Sequence, residues 1–203
     1  MQKYVIEFIG TFFLTLTIAL TVLAGTELAP VAIGLVLMAM IYAGGPISAH
    51  YNPAVTLGAL CLKKLSSLEA LYYVVFQVLG GLLAAVLAWF LMTTFVPDFA
   101  STASLQVLVT EIVFTFALAF TIYCVALPKK VSNDYFGLAI GVVLTAIIFA
   151  GGGISGAVYN PAVGLGSLLF EAMQVVNQLW IYLLAPSIGG FLAALVYGYV
   201  YGE

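Results

Sequence analysis

Charged residues divide the chain into long apolar blocks. Nineteen uncharged residues separate Glu7 from Glu27, 35 separate Glu27 from Lys63, and 28 separate Glu69 from Asp98. The order then starts again: 17 residues lie between Glu111 and Lys129, 36 between Asp134 and Glu171, and 31 between Glu171 and Glu203. Two matched series of this kind are an internal repeat, repeat 1 covering about 1–98 and repeat 2 about 105–203 of a single domain, 1–203. Local sequence agrees. Glu7, Thr11 and Phe12 return as Glu111, Thr115 and Phe116. The run Ile47 to Val55 returns as Ile154 to Val163 with one inserted residue, and Gly80-Gly81 with Ala84-Ala85 returns as Gly189-Gly190 with Ala193-Ala194.

A spanning helix needs about 20 apolar residues, so the outer blocks of each half predict one helix each. The middle blocks are too long for one span and too short for two. Each contains a Gly-rich break followed by Asn-Pro-Ala, which predicts a spanning helix (about 30–43 and 135–150), an irregular loop, and a half-helix. Asn is a preferred N-cap and Pro is favoured at the first helical position, so the half-helices start at Asn52-Pro53-Ala54 and Asn160-Pro161-Ala162. Three crossings per half invert the second repeat, and non-helical backbone at membrane depth is tolerated only where it is buried or lines a wet cavity. The fold class is therefore an all-α membrane protein with six transmembrane helices and two re-entrant half-helices.

Composition sharpens this picture. Of 203 residues, 65% are hydrophobic and 6% charged, far below the roughly 25% charged residues of a soluble domain. The first segment is too long and too uninterrupted for a signal peptide and is read as retained. The net charge of −3 and the lack of a basic patch give no support to nucleic-acid binding. All five basic residues are lysines: Lys3, Lys63, Lys64, Lys129 and Lys130. With six spans they fall on one side, which the positive-inside rule makes the cytoplasm, with both termini in it. Cys61 and Cys124 are read as packing residues, and His50, the single histidine, argues against a His-rich metal centre. No metal or cofactor is expected.

The paired Asn-Pro-Ala motifs on inverted repeats, Glu7 with Thr11 and Glu111 with Thr115, Gln77 before Gly80-Gly81, and Trp180, Tyr182 and Pro186 near the end resemble the major intrinsic protein family, the aquaporins and glycerol facilitators. The resemblance covers nearly the whole chain. It implies a homotetramer in a lipid bilayer, each protomer with its own pore, and Asn52 and Asn160 presented to permeating molecules where two half-helix N-termini meet. It implies a passive channel for water and small uncharged solutes, and not an enzyme.

The chain departs from the family at the outer filter. The residue after the second motif, commonly Arg in the family, is Val163, and the chain contains no arginine. Counting from the motifs, the other filter positions fall on Ile33, Ile148 and Ala157, so an uncharged constriction of Ile, Ile, Ala and Val is expected. Such a ring admits ammonia, carbon dioxide or short polyols with less penalty than a water-specific filter. Gly164 stands where glycerol facilitators commonly carry an acid.

Glu7 and Glu111 lie near membrane depth, where ionisable groups are functional candidates. Two roles are open to them, bracing the re-entrant loops through backbone N–H groups or contacting solute directly. His50 is either a pH-responsive group in the vestibule or a satisfied structural histidine. Gly34, Gly80, Gly81, Gly189 and Gly190 read as close helix contacts, and Tyr4, Tyr199 and Tyr201 as interface anchors. Two other classes compete. A secondary transporter would use the midplane Glu7 and Glu111. A rhomboid-type serine protease would use Ser155 within Gly153-Ile154-Ser155-Gly156, although His50 precedes it by about 100 residues and no other base exists for the nucleophile. A small prokaryotic inner-membrane protein is the expected setting.

Overall fold

The computed structural model describes residues 1–92, 104–127, 134–167 and 178–202. Lys129, Lys130, Asp98, Glu171 and Glu203 lie outside the described residues. The described chain forms eight helices: α1 (Gln2–Leu23), α2 (Ala29–Gly44), α3 (Pro53–Cys61), α4 (Ser67–Leu91), α5 (Ser104–Ala126), α6 (Phe136–Ser155), α7 (Pro161–Ser167) and α8 (Leu179–Tyr201). Five of them, α1, α4, α5, α6 and α8, are long and apolar enough to cross a membrane. The sixth apolar helix, α2, has 16 residues, about 24 Å of rise. α3 and α7 begin at the two Asn-Pro pairs.

The two halves are packed alike. α1 lies along α4 and α5 along α8, while α2 meets α6 between the halves. The half-helices cross over: α3 packs on α8 of the other half, and α7 on α4. Small residues make these approaches possible. A Cβ on Gly34 would sit 2.5 Å from the Gly141 carbonyl oxygen, and one on Gly141 would sit 2.6 Å from that of Gly34. Gly190 and Gly81 stand in the same relation to the carbonyls of Ala54 and Ala162, at 2.4 and 2.7 Å. Bilayer hydrocarbon offers no hydrophobic driving force between helices, so close backbone packing at small residues holds the bundle. Accordingly Ala84, Ala85, Ala193 and Ala194 are buried, while Leu79, Leu83, Val142, Phe149, Leu184 and Phe191 face outward.

One side of the molecule collects the described lysines. Lys3 at the start of α1 reaches Glu69 in the first turn of α4 at 3.2 Å, and Lys63 and Lys64 lie in the connection between α3 and α4. Ser66 and Glu69 form a reciprocal capping box that fixes the start of α4.

Two expectations differ from the structure. α6 runs to Ser155, five residues beyond the expected end, because Gly151 to Gly153 continue the helix instead of breaking it. Gly151 is small to admit a side chain: its Cβ would lie 2.0 Å from the Tyr159 hydroxyl. The helix ends at Gly156, where φ is +80°. Cys61 is exposed where a packing role is expected, because it closes α3 at the lysine side, whereas Cys124 is half-buried.

Gly141→Ala should lower stability by about 1–3 kcal/mol by forcing α2 from α6. Equilibrium unfolding in mixed micelles measures this, and a variant as stable as the parent would contradict the close α2–α6 approach.

Candidate functional site

Each re-entrant loop must place backbone N–H groups inside the bundle without helical partners, and a buried donor left unpaired costs about 1–3 kcal/mol. Acidic side chains meet that demand. Glu7 on α1 accepts from the backbone N–H of His50 at 2.8 Å and of Tyr51 at 2.7 Å, from the Ser48 hydroxyl, and from Gln77 Nε2 at 2.7 Å. Glu111 on α5 accepts from the N–H of Val158 at 3.0 Å and of Tyr159 at 2.7 Å, and from the Ser155 hydroxyl at 2.7 Å. Both glutamates are fully buried.

The carboxylates hold two tyrosines in a strained conformation. Tyr51 and Tyr159 have φ of 51° and 47°, a left-handed region in which residues other than Gly, Asn and Asp are uncommon. Each is pinned at both ends. Its N–H goes to the glutamate, and its hydroxyl donates to a helix carbonyl, that of Met40 at 2.8 Å for Tyr51 and of Ile147 at 3.1 Å for Tyr159.

The strained tyrosines turn their own carbonyls across the molecular centre. Asn52 Nδ2 donates to the Tyr159 carbonyl and Asn160 Nδ2 to the Tyr51 carbonyl, both at 2.9 Å. The same asparagines cap their helices, Oδ1 accepting from the N–H of Ala54 at 2.9 Å and of Ala162 at 3.0 Å. An Asn amide carries two N–H donors, so each Nδ2 keeps one for a further partner. Both asparagines line the central cavity.

That cavity has a volume of about 250 Å³ and lies between the two loops and the inner faces of α1, α2, α5 and α6. Ile33, Ile148, Ala157 and Val163 all face it, although they come from four separate elements. Most of the remaining wall is aliphatic, with Leu14, Ile18, Leu37, Leu118, Ile122 and Leu144. This wall lies outside the four filter positions, and its signal is in the sequence: Leu14 and Ile18 return as Leu118 and Ile122 at the same spacing as Glu7 and Glu111. A second cavity of about 390 Å³ opens near Tyr73, Phe136 and Ile140, and shares Ile41, Ala49, His50 and Ile122 with the first.

His50 thus stands at the neck between the two cavities. Its Nδ1 lies 3.1 Å from Thr56 Oγ1, and its ring meets Tyr73 edge-on at 5.1 Å between centroids. Glu7 and Glu111 line neither of these two cavities. Ser155 is buried with its hydroxyl donated to Glu111, which is no arrangement for a nucleophile. No group of three metal-ligating side chains occurs among the described residues.

Comparison with known proteins gives this architecture its class. The family model for the major intrinsic proteins matches residues 1–197. The chain is 34% identical over 206 residues to "Glycerol uptake facilitator protein-like 6" of Lactiplantibacillus plantarum, covering 96% of this chain and 95% of that protein. It is 35% identical over 213 residues to "Probable aquaporin NIP4-2" of Arabidopsis thaliana, covering 98% and 74%. Among solved structures, the aquaglyceroporin from Plasmodium falciparum shares the fold with a TM-score of 0.80 at 23% identity, over 98% of this chain and 96% of that one.

The chain belongs to the major intrinsic protein family. It is an integral membrane protein, a passive channel for water and small solutes and not an enzyme.

Glu111→Gln turns an amide donor toward N–H groups that need an acceptor. A loss of about 1–3 kcal/mol of stability and a fall in water permeability are expected, measured by unfolding in detergent and by stopped-flow light scattering. Unchanged stability and flux would contradict the bracing role.

Proposed function

We propose that selectivity is set by Ile33, Ile148, Ala157 and Val163, and that this ring passes water together with small neutral solutes of partly apolar surface: ammonia, carbon dioxide or short polyols. The observation that carries the reading is that all four residues face one cavity while Val163 stands where the family commonly has Arg. Among the described residues the wall offers no side-chain charge. A permeating ion would shed hydration there with nothing to replace it, at a cost of several kcal/mol or more.

Two further features act on charge at the centre. The N-termini of α3 and α7 meet at Asn52 and Asn160, and each helix end carries a partial positive charge of up to about half an elementary charge. Cations are disfavoured there. A water at the junction finds N–H donors, which orient its oxygen toward the asparagines and interrupt a proton-conducting chain.

The remaining assignments belong to the same reading. Lys3, Lys63 and Lys64 share one side, which supports a cytoplasmic location for that face and for both termini. The pore lies within one chain, consistent with a homotetramer of independent channels. A prokaryotic plasma membrane is the proposed setting.

Stopped-flow light scattering on proteoliposomes, comparing water, glycerol and ammonia with protein-free vesicles, tests the reading. Raised flux of water and of at least one other solute is expected, and no increase in any flux contradicts it. Val163→Arg should lower glycerol flux relative to water about tenfold, equivalent to ~1.4 kcal/mol of added barrier. A rise in that ratio would remove Val163 from the filter.

A further inference from the structure

The matched contacts of the two halves set a residue-by-residue register. Gly34 and Gly141 meet each other at the α2–α6 crossing. Met40 and Ile147 accept from Tyr51 and Tyr159, and Asn52 and Asn160 make reciprocal bonds across the centre. α2 therefore corresponds to α6 at an offset of 107, and the loop ends and half-helices correspond at 108.

Applied to the filter, this register yields a second ring. Ile33 corresponds to Ile140, Ile148 to Ile41, Ala157 to Ala49 and Val163 to Val55. The composition is unchanged: Ile, Ile, Ala and Val. All four mates line the second cavity, on the lysine side of the asparagine junction. Ile41 and Ala49 also line the first cavity, which places them at the neck between the two.

We propose that Ile41, Ala49, Val55 and Ile140 form a second apolar filter, in series with the first. The inference rests on the assignment of Ile33, Ile148, Ala157 and Val163 as a filter, because the second ring is that ring carried through the pseudo-twofold axis. A molecule crossing the pore loses hydrogen-bond partners at one ring, regains them at Asn52 and Asn160, and loses them again at the other. One difference separates the rings. Beside the second stands His50, held near Thr56, where the first has Val158. The imidazole gives a passing water one more polar partner, so the second ring presents the lower of two comparable barriers.

Barriers in series add as resistances, which gives the proposal a signature no single filter has. The test compares per-channel water permeability of the full chain in proteoliposomes for the parent, Ile148→Ala, Ile41→Ala and the double variant. Ile148→Val and Ile41→Val serve as milder substitutions should either alanine variant fail to fold. Each single change should raise permeability by no more than about twofold, Ile148 giving at least as much as Ile41, and the double change should exceed the product of the singles. An increase with Ile148 variants and none with Ile41 variants would overturn the second ring and leave the first in place. No increase at either position would overturn the filter assignment itself. A double variant no faster than the product of the singles would overturn the series arrangement.

Discussion

The structure depends on supplying acceptors to backbone N–H groups in the middle of a membrane protein. A loop that re-enters a bilayer forfeits helical hydrogen bonds, and no water in the hydrocarbon replaces them. Glu7 and Glu111 solve this problem from within the neighbouring helices. Each takes two consecutive loop N–H groups and a serine hydroxyl. With the loops held, Tyr51 and Tyr159 keep their left-handed backbone, their carbonyls reach the opposite asparagine, and the two half-helices meet end to end. The glutamates shape two cavities that they do not line.

The division of labour in the pore follows. In the first cavity the polar side chains come from the re-entrant segments, His50, Tyr51, Asn52, Tyr159 and Asn160, while α1, α2, α5 and α6 contribute mainly leucine and isoleucine. In the proposed pore a neutral molecule needs few polar partners and tolerates the aliphatic wall, whereas an ion needs a full shell of them. In the proposed filter, charge exclusion rests on missing solvation and on the converging helix ends, since the chain has no arginine. The halves are not identical, however. Gln77 donates to Glu7 and Thr56 in the first half, and at the matching position of the second half stands Pro186 inside α8, so Glu111 is held without an equivalent amide.

Much of this was legible in the sequence because symmetry doubled every signal. A single Asn-Pro-Ala is weak, whereas two copies in register with the charge spacing implied inversion, half-helices and a meeting point. The Gly151 to Gly153 run reads as a break in the sequence, yet it lies within α6, because glycine has two uses and the sequence does not say which applies. Here it clears space for the Tyr159 hydroxyl and the helix continues. The strain at Tyr51 and Tyr159 was invisible, since tyrosine gives no hint of positive φ and only the carboxylate below it explains the conformation. The aliphatic wall was present in the repeat spacing, yet the cavity had to be seen before Leu14, Ile18, Leu118 and Ile122 acquired a function.

The proposed pore, uncharged and largely aliphatic among the described residues, conducts neutral molecules and excludes ions without an arginine. Its most direct test is to measure, on one preparation, osmotic water permeability in vesicles and electrical conductance in planar bilayers at matched protein density, with proton and potassium gradients applied in turn. Water flux clearly above the bare bilayer and no conductance above the lipid background for either ion are expected. A protein-dependent proton or potassium current, or water flux equal to that of the bare bilayer, would contradict it.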